Sequence, residues 1–96
     1  MLDPMIQDKV NQMLEEKGQG YVRLNTFFQV KTKGSYYSAV RKLGLSGCSS
    51  VRRRVEELQE ELELDRPLVW SDGTGLNFCG CSNDLYDFLK PFFGGD

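Results

Sequence analysis

The chain has 96 residues, 40% of them apolar, and a net charge of -2 from twelve Lys and Arg against fourteen Asp and Glu. That length supports one modest core and not two, so residues 1–96 are expected to form a single domain. No apolar run reaches membrane-span length and no signal-peptide pattern opens the chain, which predicts a cytoplasmic protein; the absence of histidine removes the usual general base, so neither an enzyme nor a cofactor is expected.

A first helix is predicted from about Pro4 to Lys17, with Asp3 as N-cap, Pro4 in the first turn and Gly18 or Gly20 as its stop. Its apolar stripe, Met5, Ile6, Val10, Met13 and Leu14, serves either the core or a dimer seam. A second helix is expected over roughly Leu24 to Lys33, burying Leu24, Phe27, Phe28 and Val30, with Gly34 breaking it. Ser35 then caps a short third helix, Tyr36 to Leu43, which turns Ala39, Val40 and Leu43 inward.

After a turn at residues 44–47, a fourth helix begins near Cys48 or Ser49 and continues to about Leu64. Val51, Val55, Leu58 and Leu62 form its apolar stripe. Ser49 and Arg53 point away from that stripe, Ser50 and Arg52 lie on its flanks, and Arg54 lays its stem beside the core. Two short apolar runs, Arg66 to Trp70 and Leu76 to Cys79, enclose turn residues 71–75 and read as a β-hairpin. A final helix, within residues 82–93, offers Leu85, Phe88, Leu89 and Phe92, and Pro91 sets how far it extends. Phe27, Phe28, Trp70, Phe78, Tyr86 and Phe88 are assigned to core or interface, whereas Tyr36 and Tyr37 are divided between packing and phosphate contact.

Cys48, Cys79 and Cys81 cannot all pair, which fits a reducing compartment. A structural zinc needs four Cys or His ligands, and this chain has three Cys and no His. No metal is expected, and Cys79 and Cys81 are read as buried or half-buried thiols.

The charge is unevenly distributed. Nine of the twelve basic residues lie between Lys17 and Arg54, a stretch without one acidic residue. Along the fourth helix Arg52, Arg53 and Arg54 precede Glu56, Glu57, Glu60 and Glu61, the unfavourable order for both the helix dipole and i,i+4 pairing. Basic side chains at that end are better explained by something negative outside the protein.

Helix, helix, short turn, longer helix and hairpin is the order of a winged helix-turn-helix, mainly α with a small β wing, whose second motif helix enters the major groove. The residues that fit this order are 24–30 (LNTFFQV), 34–36 (GSY), 38–46 (SAVRKLGLS), 49–55 (SSVRRRV), 57–62 (ELQEEL), 66–69 (RPLV) and 73–76 (GTGL). From Leu24 to about Leu89 they resemble, in collinear order, the DNA-binding domain of LysR-type transcriptional regulators, and more distantly the ModE N-terminal domain.

The resemblance implies that Ser35 and Tyr36 start a helix lying on the DNA backbone. It places Ser49, Ser50, Arg52 and Arg53 at recognition positions, with Ser71 and Thr74 at the wing tip. Lys33 and Lys42 add positive charge alongside. It also implies dimerisation through the C-terminal helix, with the N-terminal helix as the other candidate. The turn is one residue longer than the family's, at Gly47 and Cys48, Ser71 stands where the family commonly has Arg, and residues 1–20 have no counterpart. No small-molecule effector domain is expected. The function expected is therefore that of a small stand-alone regulator of transcription on double-stranded DNA. A protein-binding module on the same fold is the alternative: an antirepressor, a phage- or plasmid-type inhibitor, or a dimer partner that titrates a regulator.

Overall fold

The computed structural model describes residues 2–71 and 75–94, and the architecture there is mainly helical with one small antiparallel hairpin. In chain order the elements are α1 (Pro4–Glu16), α2 (Gln19–Lys33), α3 (Tyr36–Leu43), α4 (Cys48–Glu61), β1 (Val69–Ser71), β2 (Leu76–Phe78) and α5 (Gly80–Phe93). The chain's helix–helix–turn–helix–hairpin order agrees with the expected one; several boundaries and exposures do not.

Asp3 caps α1 as expected, its carboxylate accepting from the Met5 N–H at 2.8 Å. The stop is neither glycine. Lys17 itself takes the left-handed conformation, φ 52°, and bonds back to the Met13 carbonyl. Gly18 then N-caps α2, which therefore starts five residues before the predicted Leu24. Gly20 lies inside α2 because it faces Met13: a Cβ there would sit 2.7 Å from the Met13 Cγ. Glycine here permits close approach of two helices, a role that looks like helix breaking in the one-dimensional pattern. Val10, Met13 and Leu14 are buried, whereas Met5, placed on the stripe, is 74% exposed.

α2 is the centre of the molecule, packed by α1, α3, α4 and α5. Leu24, Phe27 and Val30 are fully buried, and Phe28 stacks on Tyr86 of α5 with ring centroids 4.7 Å apart. The earlier start of α2 brings Tyr21 edge-on to Phe93 at 5.1 Å, which ties the start of α2 to the end of α5. Gly34, at φ 73°, ends α2. The Ser35 hydroxyl accepts from the Ser38 N–H at 3.0 Å and starts α3 as predicted.

On α4, Val51, Val55, Leu58 and Leu62 are all buried. The helix ends at Glu61, with Leu62 as C-cap and Glu63 left-handed at φ 55°, so it is shorter than the expected run to Leu64. Gln59 of α4 accepts from the Leu68 N–H at 2.7 Å and fixes the approach to the hairpin. The register pairs Val69 with Phe78, Trp70 with Asn77 and Ser71 with Leu76. Ser71 thus belongs to the strand and not to the turn; Thr74 lies outside the described residues.

α5 starts at Gly80, earlier than Ser82, and continues through Pro91 to Phe93. Cys79 precedes it, its sulfur accepting from the Ser82 N–H at 3.3 Å. Leu85 and Leu89 are buried, while Phe92 is 51% exposed. No helix among the described residues is long and apolar enough to cross a membrane.

Candidate nucleic-acid interface

Positive charge is clustered in sequence, but the fold divides it. Arg23 is turned inward from α2 to α4, its Nε 3.4 Å from Glu57 and a terminal nitrogen 3.0 Å from Glu61. Lys31 lies over the rings of Phe78 and Tyr86, at 4.4 and 5.3 Å from their centroids. Arg54 follows its predicted path beside the stripe and donates to the Thr26 hydroxyl at 3.4 Å. These three cations stabilise α2 against its neighbours and are spent inside the globule.

The remaining six are outward, Lys17 at the end of α1 and the other five in two groups. Lys33, Arg41 and Lys42 line an open cavity of about 390 Å³ with Ser38. Arg52 and Arg53 stand on the first turns of α4, and the Arg53 side chain is 81% exposed. Arg53 approaches Glu57 at 3.7 Å, a surface i,i+4 pair with little hold on it. The corresponding Arg52/Glu56 pair does not form. Arg52 instead lies over the Tyr36 ring, 5.7 Å from its centroid.

The α4 N-terminus is left open. Gly47 provides no side-chain cap and the first turn holds no acidic residue. Unsatisfied N–H groups and the positive end of the helix dipole therefore add to the arginines, an arrangement suited to phosphate. Ser49 is exposed and Ser50 half-buried at this end.

Between α4, the start of α3 and β1 runs a groove of about 290 Å³ that brings together Tyr36, Arg52, Glu56, Trp70 and Ser71. Burial pushes the Tyr36 phenol above its ordinary 10.0; the charge and hydrogen bond of Arg52 oppose the rise and Glu56 adds to it. Of the ten residues chosen from the sequence, the fold gathers Tyr36, Arg52 and Ser71 here, keeps Ser49, Ser50 and Arg53 on the adjoining turns of α4, and puts Lys33 and Lys42 in the second group. Ser35 sits beside Tyr36 as a cap.

Trp70, assigned to core or interface, is 43% exposed in this groove, since alternation along β1 puts it on the face opposite the buried Val69. Glu56 also lines this groove and is not among the expected site residues. Its signal was present in the sequence: it shares the outward row of Ser49 and Arg53 at i, i+4, i+7 spacing.

The half-buried Cys81 thiol is not activated. Burial pushes the Cys81 thiol up, and Cys79, Asp84, Asp65 and Asp3 add to the rise. Such a thiol is a poor nucleophile near neutral pH. Among the described residues, no group of three or more His, Cys, Asp or Glu is placed to hold a metal ion. Compared with known proteins, the chain matches no family model, no curated protein and no solved structure.

Proposed function

We propose that this protein binds double-stranded DNA as a small transcriptional regulator. In this reading α2, α3 and α4 form the helix-turn-helix, α4 enters the major groove, and the β1–β2 hairpin is the wing. One observation carries it: the uncapped N-terminal turns of α4 present Arg52 and Arg53 outward with no acidic residue in the first turn. A groove about 12 Å wide accepts a helix with such an end, and Arg is the usual partner of guanine O6 and N7. Lys33, Arg41 and Lys42 supply phosphate contacts, and the resemblance to LysR-type domains agrees with these roles.

Titration of duplex DNA at two salt concentrations tests the reading. If Lys33, Arg41, Lys42, Arg52 and Arg53 all reach phosphates, affinity falls on the order of several hundredfold between 50 and 200 mM salt. Double reversal, Arg52→Glu with Arg53→Glu, abolishes this binding while the circular dichroism spectrum stays unchanged, since both side chains are exposed. Absence of binding to any duplex at low salt overturns the proposal. A homodimer through α5, where Phe92 is exposed beside Phe88, would put half-sites about 34 Å apart.

The exposed Trp70 and the outward Glu56 and Glu60 favour the second reading, a protein-binding module. That reading gains if the biological effect survives the double reversal.

A further inference from the structure

Glu56 is exposed on α4, one helical turn beyond Arg52 and next along the outward row from Ser49 and Arg53. Of the other carboxylates on or just after α4, Glu57 pairs with Arg23 and Arg53, Glu61 with Arg23 and Glu63 with Lys9, while Glu60 is exposed one turn further from the N-terminal arginines. Glu56 makes no ion pair or hydrogen bond among the described residues. Arg52, its natural i,i+4 partner, is drawn off to the Tyr36 ring. A free carboxylate therefore stands on the face that the DNA reading turns toward a polyanion.

Against phosphate alone such a group only repels. Base edges are different, because the major groove presents hydrogen-bond donors at cytosine N4 and adenine N6. A carboxylate accepts and cannot donate. Adenine N6 lies between two acceptors, its own N7 and the O4 of the paired thymine, so a carboxylate is repelled on both sides there; cytosine N4 has the O6 of its paired guanine on one side only and C5–H on the other. Arg53 and Glu56 are separated by about 4.5 Å along the helix axis, close to the roughly 3.4 Å rise of one base-pair step. We propose that Glu56 is a specificity-determining residue whose carboxylate accepts the N4 amino group of a cytosine one step from the guanine read by Arg53. The proposal rests on the DNA-binding reading above.

Selection of bound duplexes from a random pool tests it, run with wild-type protein, Glu56→Ala and Glu56→Gln. Wild type selects a cytosine next to the guanine. Glu56→Ala loses about tenfold of the preference for that cytosine and keeps the guanine. Glu56→Gln shifts the same position toward adenine, whose N6 and N7 match an amide. If all three proteins select the same bases and the variants merely bind every duplex more tightly, Glu56 is a repulsive group and the proposal is overturned. Failure of the wild type to bind any duplex overturns the DNA reading itself, and is seen before the variants are compared.

Discussion

Single side chains at the start of α3 separate folding from binding. The Ser35 hydroxyl is the N-cap, so Ser35→Ala lowers stability by about 1 kcal/mol, read as a smaller urea midpoint at unchanged slope. Asp is an equally good cap, and Ser35→Asp restores the midpoint. Beside phosphate its charge is unfavourable, so the same variant weakens duplex binding; equal binding by Ser35→Asp and wild type would take Ser35 away from the interface. Tyr36 provides a pH test. Burial holds its phenol above 10.0 in the folded state, so the folded protein retains that proton after the unfolded chain has lost it. The contribution is full below pH 10.0 and is lost as pH rises through the folded value. Ultraviolet titration should find one tyrosine ionising late, and Tyr36→Phe should remove that component.

At the level of elements, the α1–α2 junction sets two backbone rules against each other. A glycine inside a helix costs about 1 kcal/mol relative to alanine, so Gly20→Ala is stabilising by propensity alone. Its new Cβ would meet Met13 Cγ at 2.7 Å and Met13 Cβ at 3.0 Å, and neither atom is the free end of the side chain. Overpacking of this kind costs roughly 1–3 kcal/mol and outweighs the gain. Gly20→Ala should therefore lower the melting temperature, and Gly20→Ala with Met13→Ala should lose less stability than the sum of the two single losses. A higher melting temperature for the single variant would show that α1 and α2 are packed less closely than described. The left-handed Lys17 belongs to the same junction, since it completes α1 without a glycine and leaves Gly18 to begin α2.

Across the whole molecule, the ion pairs of Arg23 connect stability to binding. Arg23 holds Glu57 and Glu61 from α2, and its side chain is only 23% exposed. Arg23→Met keeps the stem and removes the charge, and is expected to cost about 1 kcal/mol, since both partners are partly in water. It also releases two carboxylates, one of them within 3.7 Å of Arg53. Duplex binding should weaken although Arg23 itself does not face the interface. A variant that is less stable but binds DNA as tightly as wild type would show that these carboxylates do not act on Arg53.

Local rules sufficed wherever a residue's role is decided within a turn or two of chain. The Asp3 and Ser35 caps, the buried stripe of α4, the Gly34 stop and the half-buried Cys79 and Cys81 were legible for this reason. Packing decided the rest. Gly20 reads as a breaker until Met13 is seen against it, and the choice between core and surface for Trp70 stays open until β1 turns it outward. The basic block is continuous in the chain, yet Arg23, Lys31 and Arg54 are consumed by partners far away in sequence: Glu61, Phe78, Tyr86 and Thr26. Composition and spacing alone determined a helical domain with a hairpin and a one-signed segment. Which of those charges point into solvent, and that Glu56 stands unpaired among them, was decided only by the tertiary structure, because charge pairing depends on distance in space and not on order along the chain.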